Sequence, residues 1–112
     1  MDKENKKLLL KDLCTRLPYG VKIWVKWDKN PSPLTTSILG NYWYTVGDDI
    51  KPYLRSMLNM TEEEGKELGN ITVFTIWTPK VYEWYIEHHF DIHNLIEKGL
   101  AIEAPEGMYK TE

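Results

Sequence analysis

Hydrophobic residues first recur at the spacing of a helix. Leu9, Leu13 and Leu17, with Leu10 and Cys14 beside them, return every three to four positions, while Lys6, Lys7, Lys11 and Asp12 fall toward another face. This predicts an amphipathic helix that stops near Arg16 or Leu17, because Pro18 disfavours the helical conformation before it and Tyr19-Gly20 supplies a turn. The period then changes to two. Val21, Ile23, Val25 and Trp27 alternate with Lys22, Trp24 and Lys26, the pattern of a half-buried strand. Asp28 to Pro33, with two prolines and an Asn, reads as loop. Leu34 to Leu39 and Asn41 to Val46 read as two strands joined at Gly40-Asn41, a hairpin signal. Ile50 to Leu54 contains Pro52, which predicts an edge strand or irregular structure.

The second half turns helical. Thr61 and Glu64 have the spacing of a capping box, and Glu62 and Glu63 favour the positive end of the helix that follows, which Gly69-Asn70 ends. Ile71 to Trp77 is rich in β-branched and aromatic residues and reads as a strand. Thr78 caps a helix of about Pro79 to His89, with Val81, Trp84, Tyr85 and His88 on one stripe and Tyr82 and Ile86 alongside. Asp91 starts another short helix carrying Ile92, Leu95 and Ile96, which Gly99 closes. Leu100 to Ala104 forms a terminal strand or an extended tail, and beyond Pro105-Glu106-Gly107 only Met108 and Tyr109 are expected to be held. The predicted fold class is α+β. A first helix is followed by a small, curved, antiparallel sheet of three to five strands, barrel-like in one version, and by two or three helices packed on it.

Composition narrows the function classes. The 112 residues suit one domain, the ordered part running from about 5 to 109, and a chain of this size buries roughly two-thirds of its unfolded surface. Cys14 is the one cysteine, so no internal disulfide forms, and its leucine neighbours suggest a small buried hydrophobe. Neither a signal-peptide core nor a run long enough to span a membrane is visible, so no membrane partner and a cytoplasmic setting are expected. A net charge of −3 with mixed signs disfavours a basic nucleic-acid footprint. The lysines at Lys3, Lys6, Lys7 and Lys11 read as a solvated helix face.

Candidate chemistry is sparse. His88, His89, Asp91 and His93 form the only group with metal-ligand character, but zinc needs three or four convergent ligands and no paired-cysteine or HExxH spacing is present. Core and helix-end roles are therefore preferred for these residues; no cofactor, metal or catalytic residue is assigned, and a histidine-based metal site or hydrolase is the weakest alternative. Glu62, Glu63 and Glu64 are explained by the helix start, and nothing around Cys14 resembles an activated thiol.

Aromatic usage carries the strongest signal. Five Trp and seven Tyr against two Phe favour rings with one apolar body and one polar handle. Trp24 and Trp43 fall on the strand face opposite the presumed core, beside Tyr42, Tyr44, Lys22 and Lys26. Covered by a helix, these rings are core. Exposed, they form a platform for a protein partner, a proline-rich peptide or stacked single-stranded bases. The expected function is thus a non-enzymatic interaction module, with single-stranded nucleic-acid binding as the alternative and homodimerisation through a free strand edge also open.

Several blocks, LKDLCTRLPYGVK (10–22), KPYLR (51–55), MTEEE (60–64), HHFD (88–91) and LIEKGLAIEAPEGMY (95–109), resemble an uncharacterised family of short proteins carried by anaerobic gut bacteria, their phages and mobile elements. The resemblance implies a small accessory or regulatory protein in the cytoplasm. It transfers no catalytic residue.

Overall fold

The computed structural model describes residues 3–71 and 79–109. The expected strand at Ile71 to Trp77 and the Thr78 cap lie outside the described residues, apart from Ile71, which ends a helix. Helix α1 (Lys3–Arg16) leads by way of a 3-10 turn (Leu17–Tyr19) into strands β1 (Lys22–Val25) and β2 (Asp28–Pro33). Helix α2 (Thr36–Tyr42), a 3-10 turn (Trp43–Thr45) and strand β3 (Ile50–Leu54) follow. A further 3-10 turn (Met57–Asn59) precedes helices α3 (Glu62–Ile71) and α4 (Pro79–Glu87), and strand β4 (Ile102–Glu103) comes last. The molecule is α+β, as the pattern predicts. The sheet is open and mixed, in the order β2-β1-β3-β4, with β4 parallel to β3. Neither the all-antiparallel expectation nor the barrel is met.

The alternation over 21–25 holds: Val21, Ile23 and Val25 are buried, and with Ile50, Leu54, Val46, Leu34, Leu95 and Leu100 they pack against Leu9 and Leu13 of α1. Trp27 breaks the pattern. It sits with Lys26 in a two-residue turn between the paired Val25 and Asp28, and it is exposed. The predicted loop at 28–33 is strand β2 instead. Its register against β1 slips between Ile23↔Ser32 and Val25↔Asp28, so β2 bulges over Lys29 to Pro31, where its Asn and first Pro lie. An edge strand tolerates prolines and bulges, since one side of its ladder is unpaired. Neither Lys26 nor Trp27 has a positive φ. Two-residue hairpins normally need positive φ to match strand twist, and the bulge beside this turn takes up the mismatch.

The predicted hairpin around Gly40 is helical. Thr35 Oγ1 accepts the Ile38 N–H at 3.1 Å and caps α2, while Gly40 lies within the helix without the positive φ a hairpin turn would demand. Strand β3 is interior, although Pro52 predicted an edge. Lys26 N–H donates to the Asp49 carbonyl at 2.9 Å, which makes Trp24/Lys51 a hydrogen-bonded pair and Ile23/Pro52 a non-bonded one. The missing donor of Pro52 therefore faces away from β1, on the side where β4 first pairs at Tyr53.

Residues 91–101 form turns instead of a helix, because Asn94 has a φ of 57°. Asp91 nevertheless caps as expected, accepting the N–H groups of Leu95 and Ile96 at 2.9 and 3.0 Å. Gly99 stops the turn in a left-handed conformation, with Leu100 N–H reaching the Leu95 carbonyl and Gly99 N–H that of Ile96. The same pair of bonds ends α4, from Phe90 to Tyr85 and from His89 to Ile86, with His89 in the glycine position at a φ of 63°.

Candidate interaction surface

On α1 the buried stripe is Leu9, Asp12, Leu13 and Arg16. Charge suggested a polar face for Asp12, and leucine neighbours suggested burial for Cys14; the structure reverses both, with Asp12 buried and Cys14 exposed. Spacing explains the reversal, since Asp12 and Arg16 lie three and seven residues after Leu9. Burying the pair requires partners. Arg16 Nε donates to Asp12 Oδ1 at 2.5 Å, and Nη2 donates to the Phe90 carbonyl at 2.6 Å. His93 Nδ1 donates to Asp12 Oδ2 at 2.8 Å, and His93 Nε2 lies 3.2 Å from the Tyr82 hydroxyl. Burial pushes the Asp12 carboxyl up, but the His93 hydrogen bond and the Arg16 charge outweigh it and hold the group below its ordinary value.

The other metal-type candidates go separate ways. His88 Nδ1 bonds the Trp84 carbonyl at 2.8 Å and its ring stacks on that indole. His89 stacks on Tyr109 with centroids 3.9 Å apart, and burial drives its pKa down to about 4. Among the described residues no three His, Cys, Asp or Glu side chains come together as a metal ion would require.

The aromatic candidates divide. Trp24 and Lys22 are half-buried on the outer face of β1, with Lys51 opposite Trp24. Lys22 is held there, its N–H donating to the Tyr109 hydroxyl at 2.8 Å and its Nζ reaching the Met108 carbonyl at 3.4 Å. Tyr42, Trp43 and Tyr44 belong to the end of α2 and the 3-10 turn after it, so they are not part of a sheet face. Lys6 Nζ ties this turn to α1 through the Tyr44 carbonyl. Lys26 is exposed at the β1–β2 turn.

Compared with known proteins, the chain matches no family model, no curated protein and no solved structure.

A residue that pattern-reading consigned to the core joins these aromatics. Trp27 is 56% exposed and packs on Tyr42 with ring centroids 4.7 Å apart and planes inclined at 45°. Trp43 and Tyr44, each 53% exposed, meet edge to face at 5.9 Å. Beneath Trp27 and Tyr42 runs an open groove of about 400 Å³. Val25, Trp27, Asp28 and Ser32 form its sheet-side wall. Ser37, Ile38, Asn41 and Tyr42 form the helix-side wall. Misreading α2 as a hairpin hid this juxtaposition, because on a helix Ile38 and Tyr42 fall one turn apart on the same side. Among the described residues no helix is long and apolar enough to cross a membrane.

Proposed function

We propose that this chain is a non-enzymatic protein-interaction module, an accessory or regulatory protein that engages its partner through the aromatic surface where the β1–β2 turn meets α2. One observation carries the reading: Trp27, Trp43 and Tyr44, close together in the sequence and paired by ring contacts with one another or with Tyr42, each leave more than half of their surface in water. Trp and Tyr dominate the residues that supply binding energy at protein interfaces, because a rigid ring contributes much apolar area for few frozen torsions. The resemblance of the tail and of the 10–22 block to short proteins of gut bacteria, their phages and mobile elements supports an accessory role.

Affinity capture from host lysate tests the proposal, comparing the native chain with a Trp27→Ala/Trp43→Ala variant whose circular dichroism is unchanged. A partner held by the native chain and lost by the variant is the expected result. Identical recoveries would overturn it. Lys26 and Lys29 are exposed beside Trp27, which gives the single-strand alternative its footing. Saturable tryptophan quenching by a mixed oligonucleotide at low salt would favour that alternative.

A further inference from the structure

The groove lining carries one formal charge, and it is negative. Asp28 is the only charged residue among the side chains that form it; the exposed Lys26 and Lys29 flank the turn without lining it. Asp28 Oδ1 accepts the Asn30 N–H at 3.0 Å, and Oδ2 makes no hydrogen bond among the described residues. Next to that oxygen's residue stand two rings that adjoin at 45°, the outer one more than half exposed. Electron-rich ring faces attract a cation, and a carboxylate beside them adds a directional acceptor. Ser32, Ser37 and Asn41 complete the lining with further acceptor oxygens.

We infer that the groove between the β1–β2 turn and α2 takes an arginine side chain presented by an extended segment of the partner, its guanidinium plane against Trp27 and Tyr42 and its N–H groups on Asp28. The inference rests on the interaction reading above and names the chemistry of its partner. Arginine fits better than lysine because a planar, weakly hydrated cation stacks on rings and still directs several N–H groups at oxygen acceptors around its edge. The groove's volume of about 400 Å³ accommodates that side chain with part of its backbone.

A titration of the isotopically labelled full chain with the capped peptide Gly-Ala-Arg-Ala-Gly, followed by nuclear magnetic resonance, tests it. The control peptide carries citrulline, which keeps the shape of arginine and removes its charge. Saturable shifts centred on the Trp27 indole and on Ser37 and Ile38 are expected, with the citrulline peptide at least fivefold weaker. Asp28→Asn should weaken the arginine peptide by a similar factor and leave citrulline binding unchanged. Equal response to both peptides, or no localised shift at millimolar peptide, would overturn the inference. Larger shifts at Trp27 with a single-stranded oligonucleotide than with the peptide would overturn it as well. If the peptide fails while capture still depends on Trp27, this inference falls and the module reading stands.

Discussion

His89 occupies a backbone conformation that costs an L residue about 1–2 kcal/mol, at a helix end where glycine is the usual occupant. Its ring offsets the cost by stacking on Tyr109. His89→Ala loses the stack and keeps the strain, whereas His89→Gly loses the stack and sheds the strain. Glycine should therefore be the more stable of the two by about 1 kcal/mol in urea unfolding, once its greater unfolded freedom is subtracted. Tyr109 does a second job. Its hydroxyl donates to the Tyr53 carbonyl at 2.6 Å and receives the Lys22 N–H at 2.8 Å, so it stands between β1 and β3 where the next ladder bond would form. Burial pushes that phenol up to about 12. Tyr109→Phe leaves a strand N–H and a carbonyl without their bridge and should cost about 1–3 kcal/mol. The sequence marked Tyr109 as a held residue in a frayed tail but gave no sign of this bridge, because a hydroxyl's partner 87 positions away leaves no local trace. Asp12 was misread for a different reason: polarity argues for the surface, and only partners such as the buried Arg16 and the distant His93 reverse it.

At the scale of elements, the signals that proved legible were those satisfied within a few residues. The Thr61/Glu64 capping box forms as spaced: Glu64 N–H donates to Thr61 Oγ1 at 3.1 Å, and Thr61 N–H donates to Glu64 Oε1 at 3.0 Å. Gly99 and Asp91 likewise cap where expected. The Leu34–Val46 stretch failed because Gly-Asn is equally at home in a turn and in a weak helix, and the deciding bond, from Ile38 N–H to Thr35, competes with it over only three residues. Glu64 is also gripped by Arg55, whose two nitrogens lie 2.7 and 2.6 Å from its oxygens, and this grip with the Thr61 cap lowers its pKa to about 2. The guanidinium in turn lies 4.2 Å over the Phe90 ring. Thr61→Ala should cost about 1 kcal/mol through the cap alone. Glu64→Gln should cost more, because it also withdraws the charge that Arg55 faces. Combining Glu64→Gln with Arg55→Met tests the coupling: additive losses would show that the pair acts as two independent contacts.

For the whole molecule, His89, Glu64 and Asp12, each held below its ordinary value, shape the acid limb of stability. His89 is held neutral in the fold, so its folded pKa of about 4 lies below the ordinary 6.5 and stability falls as pH drops between those values. Glu64 is held ionised, and its contribution is lost between 4.5 and about 2. Urea midpoints should decline in two stages below pH 6.5, and His89→Gly should remove the first stage only. The buried charges on α1 impose a further requirement. Asp12→Ala strands Arg16 in the interior and should cost about 3–5 kcal/mol, while Asp12→Leu with Arg16→Met recovers most of that loss. Phe90 and His93, which balance this pair, lie 74 and 81 positions downstream. A ribosome adding about 5–20 residues per second reaches them on the order of 4–16 s after it has made α1. Through that interval Leu9 and Leu13 can meet only the earlier part of their core, from Val21 to Leu54, and the guanidinium lacks the Phe90 carbonyl that receives it in the interior. Closure over the Asp12/Arg16 face of the first element is thus among the last events of the molecule's birth, and a nascent chain stalled near residue 70 should leave the amides of α1 more open to hydrogen exchange than those of the finished chain.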